Sequence, residues 1–409
     1  MSLLALLINQ KIVTPDPEPE PTPPVDPATL TKLRQVATHT AWWRGSGGDA
    51  TNTYTTISQH TVAQPTKALR IRQGVHGWAG ADIGVTGTAH IVVRGQLHTL
   101  TWGGQTQVTI PRMEYRTSDP LDASIVVAAG ETIHVVWETP PGARFPAGHM
   151  QWDTPTKRII TGPYSGDPGQ MDNKVLSGAP TGIYGLTDDS APSIVCMGDS
   201  ILESGWMRRA AHSVGAAWSD LSQWAEGIPR SNGVDARLGT TDPQLYTLGL
   251  TEYATNNRSS TPQAVAESLL THWRSMVAGP VKALGQTTMV PYVASVNASG
   301  STSLATLDGQ VATNKEWRDT LNGWLRDGAP LIDGAPALTG GTGAVRAGSA
   351  SHPLVGICDI AAATEATNSR GELVWRVDKG QASADGVHPT RVGADLMEPT
   401  VTQWFRDHI

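Results

Sequence analysis

The sequence is poor in several residue types, and each scarcity excludes a class of protein. It has two cysteines, Cys196 and Cys358, which are too few for a disulfide framework. Cys196 lies in an apolar run and is typical of a small buried hydrophobic residue, while a bond between the two cysteines stays open. The net charge is -7, without a Lys/Arg run or an aromatic RNA-binding motif, so nucleic acid is not an expected partner. The 12 histidines form no His-Glu-x-x-His or comparable pattern, so neither a metal nor a cofactor is expected.

Glycine, proline and tryptophan are plentiful instead, with 43, 28 and 14 residues. This mixture favours many turns and a β-rich part. A chain of 409 residues exceeds the usual size of one domain. We expect an N-terminal segment over residues 1–40, an antiparallel β-sandwich over 41–150, a linking segment over 151–190 and an α/β domain over 191–409.

The N-terminal segment begins with the apolar residues 2–8, too few to span a bilayer and without the basic start and cleavage site of a signal peptide. These residues either pack on their own protein or dock into a larger assembly. Residues 14–27 are proline-rich and acidic and predict an extended spacer of roughly 40 Å. The segment is therefore expected to be a tether, with a disordered tail as the alternative. Asp26-Pro27 predicts the start of a short helix, which packs on the next domain or supports oligomerisation.

Short β-rich runs separated by turns fill residues 41–139, at 68–72, 90–94, 107–110 and 132–137. Their spacing predicts an antiparallel sandwich. Tryptophans in this region have flat apolar faces that suit sugar rings, although each also suits a protein core; they are Trp42, Trp43, Trp78 and Trp102.

Two separated motifs carry chemistry. Residues 193–200 form an apolar run ending in Gly-Asp-Ser, which predicts a buried strand that presents Ser200 at its end, as a nucleophile or as part of a simple turn. Near the C-terminus, Asp385 and His388 are three residues apart, so one turn places both side chains on one face. Serine needs an imidazole as base, and the imidazole needs an acceptor that fixes its tautomer. His352 is followed by a proline, as His388 is, but it lacks a carboxylate three residues before it. Ser204 is followed by a glycine, but Ser200, directly at the strand end, is better placed as a nucleophile.

Together, Gly198-Asp199-Ser200 and Asp385-x-x-His388-Pro389 resemble the SGNH, or GDSL, hydrolases over residues 190–409. The resemblance implies a three-layer α/β/α fold around a parallel sheet, with Ser200, His388 and Asp385 as the catalytic triad. It also implies an oxyanion hole made by the N–H groups of Ser200 and Gly227 and by an asparagine. Thr251 stands where the family has that asparagine, and Asn256 is the alternative donor.

Apolar periodicity agrees with alternating strands and helices in this region. Strands are predicted at 221–225, 245–250, 289–293 and 331–332, and helices at 206–217, 261–276, 314–326 and 391–408. In such a sheet, ligands bind at the carboxyl ends of the strands, where Ser200 is placed.

The expected function is hydrolysis of small acyl esters, acetyl above all, on a carbohydrate polymer, by an extracellular or virion-associated protein such as a phage tail component. No long apolar run or amphipathic lid suggests a lipid chain. An acyltransferase that uses a sugar hydroxyl in place of water is one alternative. The other is a non-enzymatic carbohydrate-binding or virion structural protein with a decayed hydrolase domain.

Overall fold

The computed structural model describes residues 26–38, 40–41, 45–47, 52–74, 84–112, 114–147, 157–162, 164, 180–222, 226–228, 244–296 and 301–409. The apolar residues 2–8, most of the proline-rich tract and Trp42, Trp43 and Trp78 lie outside these ranges, so their predicted roles stay predictions.

The strands are, in chain order, β1 (Lys32–Gln35), β2 (Thr40–Ala41), β3 (Gly45–Gly47), β4 (Tyr54–Thr61), β5 (Lys67–Gly74), β6 (Val85–Val93), β7 (Gln96–Thr99), β8 (Gln107–Ile110), β9 (Tyr115–Thr117), β10 (Thr132–Thr139), β11 (Phe145–Ala147), β12 (Lys157–Thr161), β13 (Gly182–Thr187), β14 (Ser193–Met197), β15 (Ala217–Asp220), β16 (Leu248–Thr251), β17 (Leu284–Thr287), β18 (Val293–Ser295), β19 (Gln310–Ala312), β20 (Leu331–Ile332), β21 (Ala335–Pro336), β22 (Gly356–Cys358), β23 (Glu365–Thr367) and β24 (Leu373–Trp375). The α-helices are α1 (Trp206–Ser213), α2 (Pro262–Val277), α3 (Lys315–Arg326), α4 (Ile360–Thr364) and α5 (Arg391–His408).

Two antiparallel sheets form the N-terminal part. One has the order β1-β13-β5-β9, and the other has the order β12-β4-β10-β6-β7, with β8 also paired to β6. Alternate residues of the long strands point into a shared apolar core that includes Leu69, Ile71, Ile91 and Ile133. Trp102 lies against this core, edge to face with Trp137 at 6.0 Å between ring centroids. The four predicted β-rich runs all fall within or across strands of these sheets.

Two expectations about the flanks of this β region differ from the structure. The helix predicted from Asp26-Pro27 is only a 3-10 turn over Pro27–Thr29, followed by β1, which pairs with β13. Pairing between distant segments, which local apolar spacing does not reveal, satisfies the backbone of β1. Residues 151–190, expected to link two domains, supply β12 to one sheet and β13 to the other for the same reason.

A parallel sheet organises the C-terminal part, with the order β2-β15-β14-β16-β17-β22. Side chains alternate along the buried strand β14. Ile194 and Cys196 pack with α1, α4 and α5, while Val195 and Met197 pack with α2 and α3 on the opposite face. The fold is therefore mixed α/β, with helices on both faces of a parallel sheet.

Three strands were misplaced by the sequence patterns. The strand predicted at 221–225 lies earlier, as β15, where the Asp220 carboxylate is fully buried and paired with Arg208 of α1 at 3.2 Å. The strand predicted at 289–293 also lies earlier, as β17, whose sequence Leu-Gly-Gln-Thr has little apolar character. Residues 331–332 form a hairpin with β21 and do not join the parallel sheet. Buried polar residues hid the first two strands.

The antiparallel and parallel parts are joined by buried hydrogen bonds around Gln35. Its side-chain amide donates to Ala37 O at 2.8 Å and Thr40 Oγ1 at 3.1 Å, and its oxygen accepts from Ile183 N at 3.0 Å. The Gln35 N–H donates to Leu245 O at 3.0 Å. A single buried side chain thus connects strands of both parts.

Two further facts concern other expectations. Cys196 and Cys358 are both buried and free, so the bond between them that the sequence left open is not formed. In the described ranges, no helix is long and apolar enough to cross a membrane.

Candidate active site

Ser200 lies just beyond the carboxyl end of β14. Gly198 has no side chain, and a Cβ there would lie 2.8 Å from Glu252 Oε2, so glycine lets β14 and the residue after β16 approach closely. The Asp199 carboxylate accepts from the Ile201 N–H at 2.9 Å and fixes the turn. A 3-10 turn over Leu202–Ser204 and then α1 follow. The local sequence therefore presents a half-buried serine at the end of a rigid strand.

His388 and Asp385 meet this serine from the loop before α5. His388 Nε2 lies 2.9 Å from Ser200 Oγ, and His388 Nδ1 lies 2.6 Å from Asp385 Oδ2. The structure thus brings together the three residues that the two motifs singled out. A serine, an imidazole and a carboxylate in this order can move a proton from the hydroxyl to the ring.

The loop that carries Asp385 and His388 is held by its own polar groups. Asp385 Oδ1 accepts from the N–H groups of Val387 at 2.9 Å and His388 at 2.7 Å. Ser383 Oγ donates to the His388 carbonyl at 2.8 Å, and the Trp375 indole donates to the Gly386 carbonyl at 3.0 Å. Sequence reasoning missed Ser383, although a serine two residues before Asp385 is typical of such a turn. These bonds fix the imidazole before any substrate arrives.

The electrostatics of the pair favour the protonated imidazole. The hydrogen bond to Asp385 raises the pKa of His388 and outweighs the opposing effect of burial. Burial alone would raise the pKa of Asp385, but the bonds from His388 and the Val387 N–H hold that pKa well below its usual range. The carboxylate therefore stays ionised beside the ring and stabilises an imidazolium.

Gly227 and Asn256 lie together near Asp199 and Ser200. The Asn256 amide donates to Asp199 Oδ2 at 2.9 Å and to the Glu226 carbonyl at 3.0 Å. Asn257, which the sequence analysis did not single out, accepts from the Ile228 N–H at 2.9 Å and so holds the Gly227 segment on the same turn. Within the described ranges, the N–H groups of Ser200 and Gly227 donate to no protein acceptor. Both are free to donate to an oxyanion.

Thr251 is not part of this arrangement. It is the last residue of β16, its side chain is fully buried, and its hydroxyl donates to Gln286 of the neighbouring strand β17. This bond to β17 turns the Thr251 hydroxyl away from the Ser200 turn. Asn256 lies next to the Ser200 turn, but its amide already donates its two hydrogens to Asp199 and to the Glu226 carbonyl, so neither candidate supplies a third oxyanion donor in this arrangement.

The two residues in similar local sequences have structural roles. His352 is buried, with Nε2 bonded to the Ala329 carbonyl at 3.0 Å and Nδ1 accepting from the Leu354 N–H at 3.0 Å. Ser204 Oγ donates to the Ile201 carbonyl at 3.0 Å. Neither side chain has the partners that a nucleophile or base requires.

A recess borders the site between the turn that carries Asn256 and the segment before β18. Its empty volume is about 270 Å³, and its walls include Arg258, Met289, Tyr292 and Trp317. The Arg258 guanidinium lies over the Tyr292 ring, 4.2 Å from its centroid. The Val293 N–H donates to the Gly386 carbonyl at 3.0 Å, which ties this wall to the loop of His388. The recess therefore shares two segments with the candidate active site.

Among the described residues, no three His, Cys, Asp or Glu side chains are grouped so that they could hold a metal ion.

No family model matches the sequence, and no curated protein matches it. Among solved structures, the chain is similar to a carbohydrate esterase family 2 enzyme with a carbohydrate-binding domain from Corynascus thermopiles (Myceliophthora fergusii), at 12% identity over 92% of this chain and 98% of that chain, with a TM-score of 0.27. It is similar to the periplasmic domain of a Salmonella ser. Paratyphi A lipopolysaccharide acetyltransferase, at 12% identity over 54% of this chain and 85% of that chain, with a TM-score of 0.34. It is also similar to an acetyl xylan esterase, Est2A, from the rumen bacterium Butyrivibrio proteoclasticus, at 9% identity over 63% of this chain and 81% of that chain, with a TM-score of 0.22.

Proposed function

We propose that the protein is a serine esterase of the SGNH type that removes small acyl groups, acetyl above all, from a carbohydrate polymer. The observation that carries the proposal is the hydrogen-bonded chain from Ser200 Oγ through the His388 ring to Asp385, placed at the carboxyl end of a parallel strand.

In the proposed mechanism, His388 Nε2 takes the proton of Ser200 as Oγ attacks the ester carbonyl. The developing oxyanion is held by the N–H groups of Ser200 and Gly227, which have no protein acceptor among the described residues. His388 then gives its proton to the leaving sugar hydroxyl. Water attacks the acyl-enzyme with His388 as base again, and Ser200 regains its proton as the acid leaves.

Two features support a small acyl group on a sugar. Little of the recess beside the site is enclosed, so it offers no room for a long acyl chain. Trp317 in its wall is half-buried, and a flat aromatic face suits the apolar side of a sugar ring. Binding of neighbouring sugars would orient a small ester at Ser200.

The test compares Ser200→Ala and His388→Ala with wild type on p-nitrophenyl esters of two to sixteen carbons and on acetylated glycans. Turnover of either variant should fall by roughly 10⁴ to 10⁶, because such residues act as a unit. Ser204→Ala is the matched control, since its hydroxyl only bonds the Ile201 carbonyl. Wild-type turnover in Ser200→Ala would refute the assignment. A preference that rises with acyl length, without acetate release from any glycan, would refute the substrate class.

Acyl transfer to a sugar differs from hydrolysis only in the molecule that attacks the acyl-enzyme. Adding a free oligosaccharide to the assay therefore separates the two reactions. Acylated oligosaccharide at the expense of free acid would identify an acyltransferase, whereas unchanged acid release supports the esterase.

A further inference from the structure

Two buried carboxyl groups touch each other directly behind Ser200, and the proposed mechanism uses neither of them. Asp199 follows β14 and Glu252 follows the adjacent strand β16; their exposed fractions are 0% and 1%. Glu252 Oε2 accepts from the Asp199 N–H at 3.2 Å, so the two acids lie side by side in the core. Two carboxyl groups buried side by side do not both ionise, so one of them holds a proton.

That proton belongs on Glu252. Burial, and then the charge of Asp199, raise the pKa of Glu252 well above its ordinary value. Burial raises the pKa of Asp199 to about 6, against the opposing effects of the Ile201 N–H, the Glu252 hydroxyl, His388 and Arg258. Both oxygens of Asp199 accept hydrogen bonds, from the Ile201 N–H and the Asn256 amide, so the negative charge of the pair lies on Asp199 and the proton on Glu252.

The charged member of the pair organises the surroundings of Ser200. One oxygen of Asp199 accepts from the Ile201 N–H at 2.9 Å and so fixes the turn that contains Ser200. The other accepts from the Asn256 amide at 2.9 Å, and that amide in turn holds the Glu226 carbonyl next to Gly227. One chain of hydrogen bonds thus connects Glu252 with both free N–H donors of the site.

The backbone around this chain is shaped to accommodate it. Ala254, between Glu252 and the turn of Asn256, has a φ of +130°, a conformation that residues other than glycine rarely adopt. Gly198 provides the space for Glu252, because a Cβ there would also lie 3.0 Å from Glu252 Cβ. Strained or glycine-dependent backbone at such a point persists only where the surrounding contacts hold it.

We propose that Glu252 is a positioning residue: as a neutral acid it accepts from the Asp199 N–H and leaves the negative charge on Asp199, whose carboxylate holds the Ser200 turn and Asn256 in the arrangement that presents the oxyanion donors. The inference rests on the proposed esterase function. It also makes Asp199 the source of a fixed negative charge that faces His388, in addition to Asp385.

The first test compares two substitutions of similar length in the full chain. Glu252→Gln is neutral and keeps an oxygen that accepts from the Asp199 N–H. Glu252→Met keeps the length but cannot accept that bond. We expect kcat on p-nitrophenyl acetate to stay within about threefold of wild type in Glu252→Gln and to fall by about 10- to 100-fold in Glu252→Met, with KM changed far less. Equal losses in the two variants, or wild-type kcat in Glu252→Met, would overturn the proposal.

A second measurement needs no activity. In the Ser200→Ala background, NMR gives the pKa of the His388 ring directly. Asp199→Asn removes the negative charge and should lower that pKa, whereas Glu252→Gln leaves the charge and should leave the pKa in place. If Asp199→Asn does not lower the pKa, or Glu252→Gln lowers it as much, the assignment of the charge is wrong, even where Glu252→Met fails to fold.

The two measurements also separate this inference from the proposed function. A wild-type protein that hydrolyses no ester would refute the esterase, while the His388 pKa values would still decide whether the pair holds a charge on Asp199. Hydrolysis lost only in Ser200→Ala, with both Glu252 variants fully active, would support the esterase and refute the positioning role.

Discussion

Replacing Asp385 with asparagine tests the orientation of His388 in the most direct way. Asp385 Oδ1 accepts from the N–H groups of Val387 and His388, and an asparagine oxygen can keep both bonds. The asparagine NH₂ group then takes the place of Oδ2, which now lies 2.6 Å from His388 Nδ1. An NH₂ group there donates to Nδ1 and moves the ring proton to Nε2. The nitrogen that faces Ser200 Oγ at 2.9 Å would then carry a proton and could not act as a base.

The expected loss in kcat is about 10³- to 10⁴-fold, the effect of a wrong imidazole tautomer in a Ser-His-Asp site. Since each tenfold change corresponds to about 1.4 kcal/mol, the barrier should rise by about 4 to 5.5 kcal/mol. The fold should change little: the Asp385 side chain is 54% exposed, so its ion pair contributes at most about 1 kcal/mol to stability. The substitution therefore separates catalysis from folding.

The assay is kcat and kcat/KM on p-nitrophenyl acetate between pH 5 and 9, with the thermal unfolding midpoint measured alongside. The hydrogen bond from Asp385 raises the pKa of His388, so wild-type activity should rise with pH through a value above the ordinary 6.5. In Asp385→Asn the residual activity should also rise with pH, but the rise should be centred at a lower pH than in wild type. Asp378→Asn is the matched control, because this exposed carboxylate pairs with Arg376 and does not contact His388. A loss smaller than tenfold with an unchanged pH profile would refute the role of Asp385.

Three further predictions concern stability and the N-terminus. Because its pKa is raised, Glu252 stabilises the folded state below about pH 4.5, and this stability is lost as the pH rises towards the folded-state pKa, by up to about 1.4 kcal/mol per pH unit. The free energy of urea unfolding should therefore depend less on pH in Glu252→Gln than in wild type. Equal slopes of this free energy against pH in the two proteins would contradict the prediction. Gly285→Ala places a Cβ 2.3 Å from the Trp404 ring and should lower the free energy of unfolding by about 1–3 kcal/mol, whereas the open site Gly323→Ala should not lower it. Deleting residues 1–25, the proposed tether, should leave esterase activity and melting temperature unchanged while abolishing attachment to any parent assembly; a lower melting temperature would place the segment in a core.

The candidate site was predictable where its chemistry is local. The apolar run of β14 stops at Gly198, and Asp385 and His388 are separated by one turn, so short stretches of sequence determine the position of each group. The meeting of Ser200 and His388 depends on the order of strands in the sheet, which the residues themselves do not state. The resemblance to SGNH hydrolases supplied that step.

Glu252 and Thr251 show where the sequence was insufficient. They are consecutive, and the side chain of Thr251 bonds Gln286 of the neighbouring strand while that of Glu252 lies against Gly198 and Asp199. Counting positions in a motif placed the oxyanion donor on Thr251, because one residue of register at a strand end reverses which side chain faces the site. The signal for Glu252 was an acidic residue at the end of an apolar strand, which is rare unless the group has a buried partner.

The edge strand β2 could not be predicted, because it is short and its partner is distant in the chain. β2 has two residues, Thr40 and Ala41, and pairs with Ser219 and Asp220 of β15. Neither its length nor its composition distinguishes it from a loop.

This short strand determines how the molecule can be divided. β2 precedes most of the sandwich in the chain, while its partner β15 follows the sandwich. The edge strand of the parallel sheet therefore comes from the N-terminal side of the sandwich and the other strands from its C-terminal side. A fragment that begins at residue 191 would lose β2 and expose the backbone of β15 as a free edge, which other chains can pair with. It would also lose Gln35, whose N–H bonds the Leu245 carbonyl before β16. Expression of the α/β part alone should therefore give aggregation. A shortened chain that joins residues 26–41 directly to residue 191 is the smaller unit in which that edge stays covered.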